Sequence, residues 1–245
     1  MSTIRNIRLT IEYDGANFAG WQRQARQRTI QGEIEKAAEK LTGEKVTLVA
    51  AGRTDSGAHA LGQVGNFKTR SRLPIDKFTP ALNSLLHRDI LVKKAQEVSL
   101  DFNSRRDAKS KVYRYHIFLG QTVLQRNYRW SYRFAVDLTR LKQATRLILG
   151  KHDFTSFCVA KSKKESNICR IKKASWKKSG DILEFEIEGD RFLHSMVRIL
   201  VGTLLEVGRE KITPQEFERI LKAKDRRKAG KTVPASGLYL VEVKF

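Results

Sequence analysis

Cysteine is nearly absent: Cys158 and Cys169 are the only two in 245 residues. They form no Cys-x-x-Cys pair, which excludes a disulfide framework and fits a reducing, cytoplasmic setting. Histidine is sparse too. His59, His87, His116, His152 and His194 lie far apart with no His-x-x-x-His spacing, so no metal site is expected. No stretch approaches the roughly 20 apolar residues of a membrane-spanning helix. No lipidation motif is visible, and Met1 to Arg8 has no apolar run of the signal-peptide kind. The phosphate-binding Gly-x-x-x-x-Gly-Lys-Ser/Thr loop, a Gly-x-Gly-x-x-Gly turn and a Gly-x-Ser-x-Gly elbow are all missing. Nucleotide hydrolysis, dinucleotide or methyl-donor binding and serine-hydrolase chemistry therefore gain no support.

Acidic residues are also in short supply, 26 against 48 lysines and arginines, for a net charge of +22. The basic residues run along the whole chain instead of gathering in a tail. Such a one-signed surface calls for a polyanion, and nucleic acid is favoured over an anionic membrane. With 40% hydrophobic residues the chain has a real core, enough for one large domain or two small ones.

The densest chemistry lies in Ala51-Gly52-Arg53-Thr54-Asp55-Ser56-Gly57-Ala58-His59-Ala60. An apolar run, Val46 to Ala51, predicts a buried strand leading into it. Gly52 and Gly57 break the chain on either side of Asp55, which stands between Arg53 and His59. Two readings are open: a reactive carboxylate on a strand-end loop, or an aspartate that merely caps a turn.

Elsewhere, alternation predicts strands at Ile7 to Tyr13, Val64 to Phe67, Ile90 to Ala95, Val112 to Leu119, Ile168 to Lys177, Ile182 to Glu188 and Gly237 to Val243. Helices are predicted from Ile30 to Leu41, capped by Thr29 and stopped by Gly43, from Pro74 to Leu86, and from Asp137 or Leu138 to Leu149. Two more follow, Phe192 to Val207 and a short one behind the Thr213-to-Glu216 capping box. Phe102 to Lys111 and Lys151 to Phe157 read as connections, and Lys161, Lys163 and Lys164 as a mobile basic patch. Trp21 stands among Gln22, Arg23, Gln24, Arg26 and Arg28, either as an RNA contact or as a loop anchor. Tyr113 reads as a core tyrosine or a site residue. Arg198 is a lone charge in the most apolar helix, and it either snorkels outward or pairs with a carboxylate such as Asp55.

The order of elements predicts an α+β fold of two split-βαβ halves, a mostly antiparallel mixed sheet with helices on one face. The halves are expected at 1–110, carrying the Asp loop, and 111–245, carrying the Tyr113 strand and the Arg198 helix. Two-metal chemistry wants clustered carboxylates, and Asp55 has none near it in sequence. What remains is metal-free chemistry on RNA with one ionised carboxylate as nucleophile or base. Attack at a sugar anomeric carbon suits such a group. A target base in a stem must first leave its stack and be received on an aromatic face.

Six motifs then carry a resemblance: Tyr13 to Gln22, Ala51 to Ala60, Tyr113 to Tyr115, His152 to Phe157, Phe192 to Arg198 and Gly237 to Leu240. In this order they resemble the tRNA pseudouridine synthase A family, from about Ile7 to Val243. The resemblance implies two α/β halves with pseudo-two-fold symmetry, a homodimer, tRNA as partner, and neither cofactor nor metal. It implies Asp55 as nucleophile, Tyr113 stacked on the flipped uracil and helping to move the C5 proton, and Arg198 paired with Asp55. Arg53, Tyr113, His59 and Gln63 are assigned to substrate binding. The implied target is uridine at positions 38, 39 and 40 of the anticodon stem-loop; attack at C1′ and attack at the base remain equally compatible. Two alternatives stand beside it: a non-catalytic RNA-binding or chaperone protein, and a synthase acting on another RNA position.

Overall fold

The computed structural model describes residues 3–159 and 166–245, so the basic patch at Lys161, Lys163 and Lys164 lies outside the described residues. In chain order the elements are β1 (Arg5–Tyr13), α1 (Ile30–Thr42), β2 (Val49–Ala50), β3 (His59–Thr69), α2 (Ile75–Leu85), β4 (Ile90–Val98) and β5 (Ser110–Leu119). There follow β6 (Trp130–Tyr132), α3 (Leu138–Arg146), β7 (Gly150–Asp153), β8 (Ile168–Ser179), β9 (Ile182–Gly189), α4 (Met196–Gly208), α5 (Pro214–Lys222) and β10 (Leu238–Lys244). The fold is α+β, as the alternation of strand and helix periods predicts. The chain divides into two compact units, Met1–Lys109 with Leu240–Phe245, and Ser110–Tyr239.

The first unit is built around β1, whose Ile7, Leu9 and Ile11 are fully buried. It pairs antiparallel with β3 on one side and β4 on the other. The strand order is β4-β1-β3-β10, with β2 added to β3. Leu240–Phe245, most of the C-terminal strand, group with the first unit, whereas the sequence division assigned them to 111–245. The division falls inside the strand, with Leu238 and Tyr239 counted in the second unit. Helix α1 forms as its caps dictate: the Thr29 side chain accepts from Gly32 N–H, and Gly43, at φ 70°, closes the last turn onto Glu39.

Two expectations change here. The strand expected over Val46 to Ala51 shrinks to Val49–Ala50. Leu48 is buried, but its N–H is taken by the Glu35 carboxylate and its carbonyl by the Gln31 amide, so helix α1 supplies the bonds a strand partner would have made. Conversely β3 extends well beyond Val64 to Phe67, and His59 and Gln63 are therefore strand residues. The connection after β4 is pinned rather than simply exposed. Ser104 donates twice to Asn66 Oδ1, and the Asn66 amide donates to Asn6.

In the second unit the order is β5-β9-β8-β7, all antiparallel, with β6 parallel to β5. Helix α4 supplies much of the core: Met196, Val197, Ile199, Leu200, Val201, Leu204, Leu205 and Val207 are buried. Each large aliphatic side chain so buried contributes roughly 1.5–3 kcal/mol before its ordering cost. The capping box of α5 is present, with Thr213 and Glu216 each bonding the other's backbone.

Three boundaries differ from expectation. Lys151 to Asp153 form β7 instead of a loop, because they pair with Ile168 to Arg170. Helix α3 stops at Arg146, not Leu149. Helix α4 begins at Met196 and not Phe192, because Ser195 takes a left-handed conformation, φ 57°, that no continuous helix contains. Arg198 is thus a first-turn residue and half-buried, not a charge in mid-helix.

Candidate active site

Asp55 sits in the first unit on the turn between β2 and β3, half-buried, with Arg53 and Ser56 exposed beside it. The loop lacks a ladder of its own, and its backbone groups are instead tied from three sides. The Ala51 N–H donates to the Val64 carbonyl at 2.8 Å. The Asp55 carbonyl accepts from Ala58 N–H at 3.1 Å, and the Thr54 carbonyl accepts from Trp21 N–H at 3.2 Å. Phe18 offers its carbonyl to Gly57 N–H and to Ser56 Oγ.

The segment after β1 lies directly on this turn. Gly20 has φ +94°, and a Cβ there would meet Thr54 O at 2.9 Å, Ser56 N at 3.1 Å and the Asp55 carbonyl carbon at 3.2 Å. Only glycine permits that approach. Trp21 is 2% exposed and its ring lies 6.0 Å from that of Tyr13. Of its two readings, the loop anchor is the one realised. Arg28 is held by Asp89 through two hydrogen bonds of 2.8 and 3.0 Å and stacks on the Phe18 ring.

Beneath the turn lies a buried polar set. Tyr13 Oη is 2.7 Å from Thr54 Oγ1. The Gln63 Nε2 donates to the Gly52 carbonyl at 2.8 Å, and Gln63 also hydrogen-bonds the Tyr13 phenol. Burial raises the Tyr13 phenol well above its ordinary range, against the opposing hydrogen bonds of Thr54 and Gln63, so it stays protonated at any working pH. His59 Nδ1 accepts from Gly15 N–H and lies 3.1 Å from Asp14 Oδ1. His59 is 2% exposed and Gln63 0%. Both, expected at the substrate, are buried residues of β3 that bond the Gly15 N–H and the Gly52 carbonyl.

The second unit carries Tyr113 and Arg198. Tyr113 is fixed by β5, opposite Ile187 of β9, and its ring meets Phe192 edge-on at 4.9 Å. Arg198 donates Nε to the Val233 carbonyl at 2.7 Å. The neighbouring Pro234 carbonyl accepts from Tyr115 Oη at 2.7 Å. Burial raises the Tyr115 phenol, and the nearby Arg198 charge opposes this. The backbone strap that offers these carbonyls crosses α4 at Gly202, where a side chain would collide with the Lys231 carbonyl, and the Gly230 N–H is held by Thr203 Oγ1.

Arg53, Asp55, His59 and Gln63 thus belong to one unit, and Tyr113 and Arg198 to the other. Sequence reasoning passed over Tyr13, Thr54 and the Val233–Pro234 carbonyls. The aromatic pair Tyr13 and Trp21, bracketing two glycines, is the signal that a loop packs on another loop; the carbonyls leave no sequence signal. Among the described residues no cluster of three or more His, Cys, Asp or Glu stands ready for a metal ion. Both cysteines are buried thiols, and burial pushes Cys169 up to about 12. Among the described residues no helix is long and apolar enough to cross a membrane.

The fold and site define a basic α+β protein that presents one carboxylate on a glycine-bounded, backbone-tied turn. Comparison with known proteins makes the class specific. A family profile described as tRNA pseudouridine synthase matches residues 9–106 and 144–245. Proteins named tRNA pseudouridine synthase A from Caldicellulosiruptor bescii, Acetivibrio thermocellus and Clostridium acetobutylicum are each 46% identical over 244 residues, covering 99% of this chain and 100% of theirs. The chain belongs to the tRNA pseudouridine synthase family. The profile segments contain Asp55 and Arg198 and pass over the stretch holding Tyr113, which the full-length relatives span.

Proposed function

We propose that the protein isomerises uridine to pseudouridine in tRNA, with Asp55 as the nucleophile, at positions 38 to 40 of the anticodon stem-loop. The observation that carries this reading is the near-complete match to relatives named for that activity, together with the backbone-tied turn that presents Asp55. The reaction is internally balanced. The C1′–N1 bond breaks, a C1′–C5 bond forms, the C5 proton leaves and N1 ends protonated, so no oxidant or group donor is consumed. A carboxylate suits the step that loosens the base, because it attacks without first losing a proton.

Tyr113 is proposed to stack on the flipped uracil and help remove the C5 proton. Arg198 is proposed as counter-charge to Asp55. A guanidinium whose Nε is already committed to Val233 has its fork directed, which is what a charge partner needs. Exposed Arg53, two residues from Asp55, is proposed to hold the RNA and keep the stem open. A net charge of +22 supports a polyanionic substrate. A homodimer and a cytoplasmic setting, where tRNA is abundant, belong to the same proposal. Pseudouridine mapping of cellular tRNA with and without the gene tests it. Loss of the modification at anticodon-arm uridines is the expected result, and an unchanged map at those positions would overturn the target assignment.

A further inference from the structure

We infer that Tyr13 is a positioning residue for Asp55, acting through the Thr54 hydroxyl to hold the nucleophile's turn in its working geometry. The inference rests on the reading of Asp55 as nucleophile and adds to it a device outside the six predicted site residues.

Tyr13 is the last residue of β1, and the ladder with β3 shifts register between Ile11 and Tyr13. That irregularity sets its partner at Ala60, directly behind the turn. The side chain is 3% exposed and Thr54 7%, so the 2.7 Å contact between their oxygens lies away from competing water. Thr54 is bonded to Asp55 through the chain itself. Its hydroxyl is held by Tyr13 and its carbonyl by Trp21 N–H, which leaves the peptide joining Thr54 to Asp55 little freedom to rotate. Gln63 closes the set by bonding the phenol and the Gly52 carbonyl. The two residues that set the turn's entry, Gly52 and Thr54, are thus fixed by buried polar side chains.

Why a hydroxyl is used here follows from the surroundings. Phenylalanine would pack against Trp21 as tyrosine does, so the ring alone explains burial. The oxygen is needed because Thr54 Oγ1 is a buried polar group that requires a partner, whereas the Gln63 amide is also held by the Gly52 carbonyl and the Val64 N–H. A phenol raised by burial does not ionise and keeps its hydrogen bonds at every working pH. A reactive group displaced by a fraction of its bond length loses rate steeply, whereas substrate affinity, set by many phosphate contacts, does not change.

The test uses full-length protein and tRNA carrying C5-tritiated uridine, and compares Tyr13→Phe, Thr54→Val, their double variant, Thr54→Ser and Asp55→Asn. For each, tRNA affinity, single-turnover tritium release and melting temperature are measured. The expected result for Tyr13→Phe and for Thr54→Val is a fall in rate of about tenfold or more with affinity within about twofold. The double variant falls no further than the worse single, since both remove the same bond. Thr54→Ser restores most of the rate lost in Thr54→Val. Wild-type release from both single variants while Asp55→Asn is inactive overturns the positioning role and leaves the nucleophile in place. Wild-type release from Asp55→Asn overturns the nucleophile reading itself. Loss of affinity in step with rate, or purely additive losses, shows a merely structural tyrosine and also overturns the inference. Should Tyr13→Phe fail to fold, the Thr54→Val and Thr54→Ser pair decides by the same readouts.

Discussion

The two units hold their candidate site residues by different means. In the first, Asp55 stands on a turn without strand or helix, and the turn is tied by contacts particular to it: the Phe18, Val64 and Trp21 backbones, the Tyr13 and Gln63 side chains, and the close approach of Gly20. In the second, Tyr113 is placed by the register of β5 on β9, and Arg198 by the start of α4 and one carbonyl. A strand residue inherits its position from a ladder that stabilises the whole unit. A loop residue inherits nothing, and must be pinned by groups that serve little else. Damage to the pins of the first unit should therefore harm turnover more than stability, and damage to the supports of the second should do the reverse.

Variants can break or sharpen that contrast. After loss of the Asp55 carboxylate, Tyr113→Phe should have the largest effect on chemistry, since it removes the proposed proton carrier and leaves the ring. Turnover is expected to fall on the order of 10²-fold to 10⁴-fold with tRNA binding retained, measured by single-turnover release and filter binding. Wild-type turnover would remove Tyr113 from proton transfer. Gly20→Ala comes next. Its Cβ would press on Thr54 O and the Asp55 backbone, so turnover should drop by about 10²-fold while the melting temperature changes little by comparison.

Gly202→Ala is its counterpart in the second unit. The collision there is with the Lys231 carbonyl under the strap, deep against α4. Denaturant titration should show a loss of about 1–3 kcal/mol, larger than that of Gly20→Ala. Equal effects from the two glycines on both readouts would erase the distinction between the units. Arg198→Lys, which loses the Nε bond to the Val233 carbonyl and the planar fork it directs, should cost about tenfold in turnover.

The smallest expected effect concerns His116, on the same strand as Tyr113. Burial lowers its pKa from the ordinary 6.5; Glu184 at 3.0 Å opposes this, and the Arg129 and Arg114 charges add to it. The folded protein thus binds a proton less readily than the unfolded chain. Stability should be unaffected by this group above about 6.5 and should fall as pH drops below it, where only the unfolded chain is protonated. Denaturant titrations at about pH 7.5 and 5.5 should show His116→Gln with a flatter dependence than the wild type.

Much of this architecture was legible in sequence wherever one physical signal dominates. Period-two alternation gave β1 and β5, the Thr29 and Gly43 caps gave α1, and the Thr213-to-Glu216 pattern gave α5. Legibility failed where a long-range partner decides. Lys151 to Asp153 become a strand only because Ile168 to Arg170 lie beside them. Leu48 stays out of the ladder because Gln31 and Glu35 take its backbone groups. The candidate site divides along the same line. Asp55 was readable from its glycines and charged neighbours, but that His59 and Gln63 are buried residues of β3 was not, because the strand runs well beyond its apolar core. Tyr13 was readable only as an apolar strand end, since nothing in sequence states that its hydroxyl meets Thr54.

The central claim is that the pinned turn exists to present a nucleophilic carboxylate. Single-turnover release of tritium from C5-labelled uridine in tRNA, compared between wild type and Asp55→Asn, tests it most directly. Asp55→Asn keeps the size of the side chain and removes only the carboxylate. The account predicts full release by the wild type and none by Asp55→Asn, with tRNA affinity within about twofold, because the basic surface behind the net charge of +22 is unchanged. Release by Asp55→Asn at the wild-type rate would contradict it.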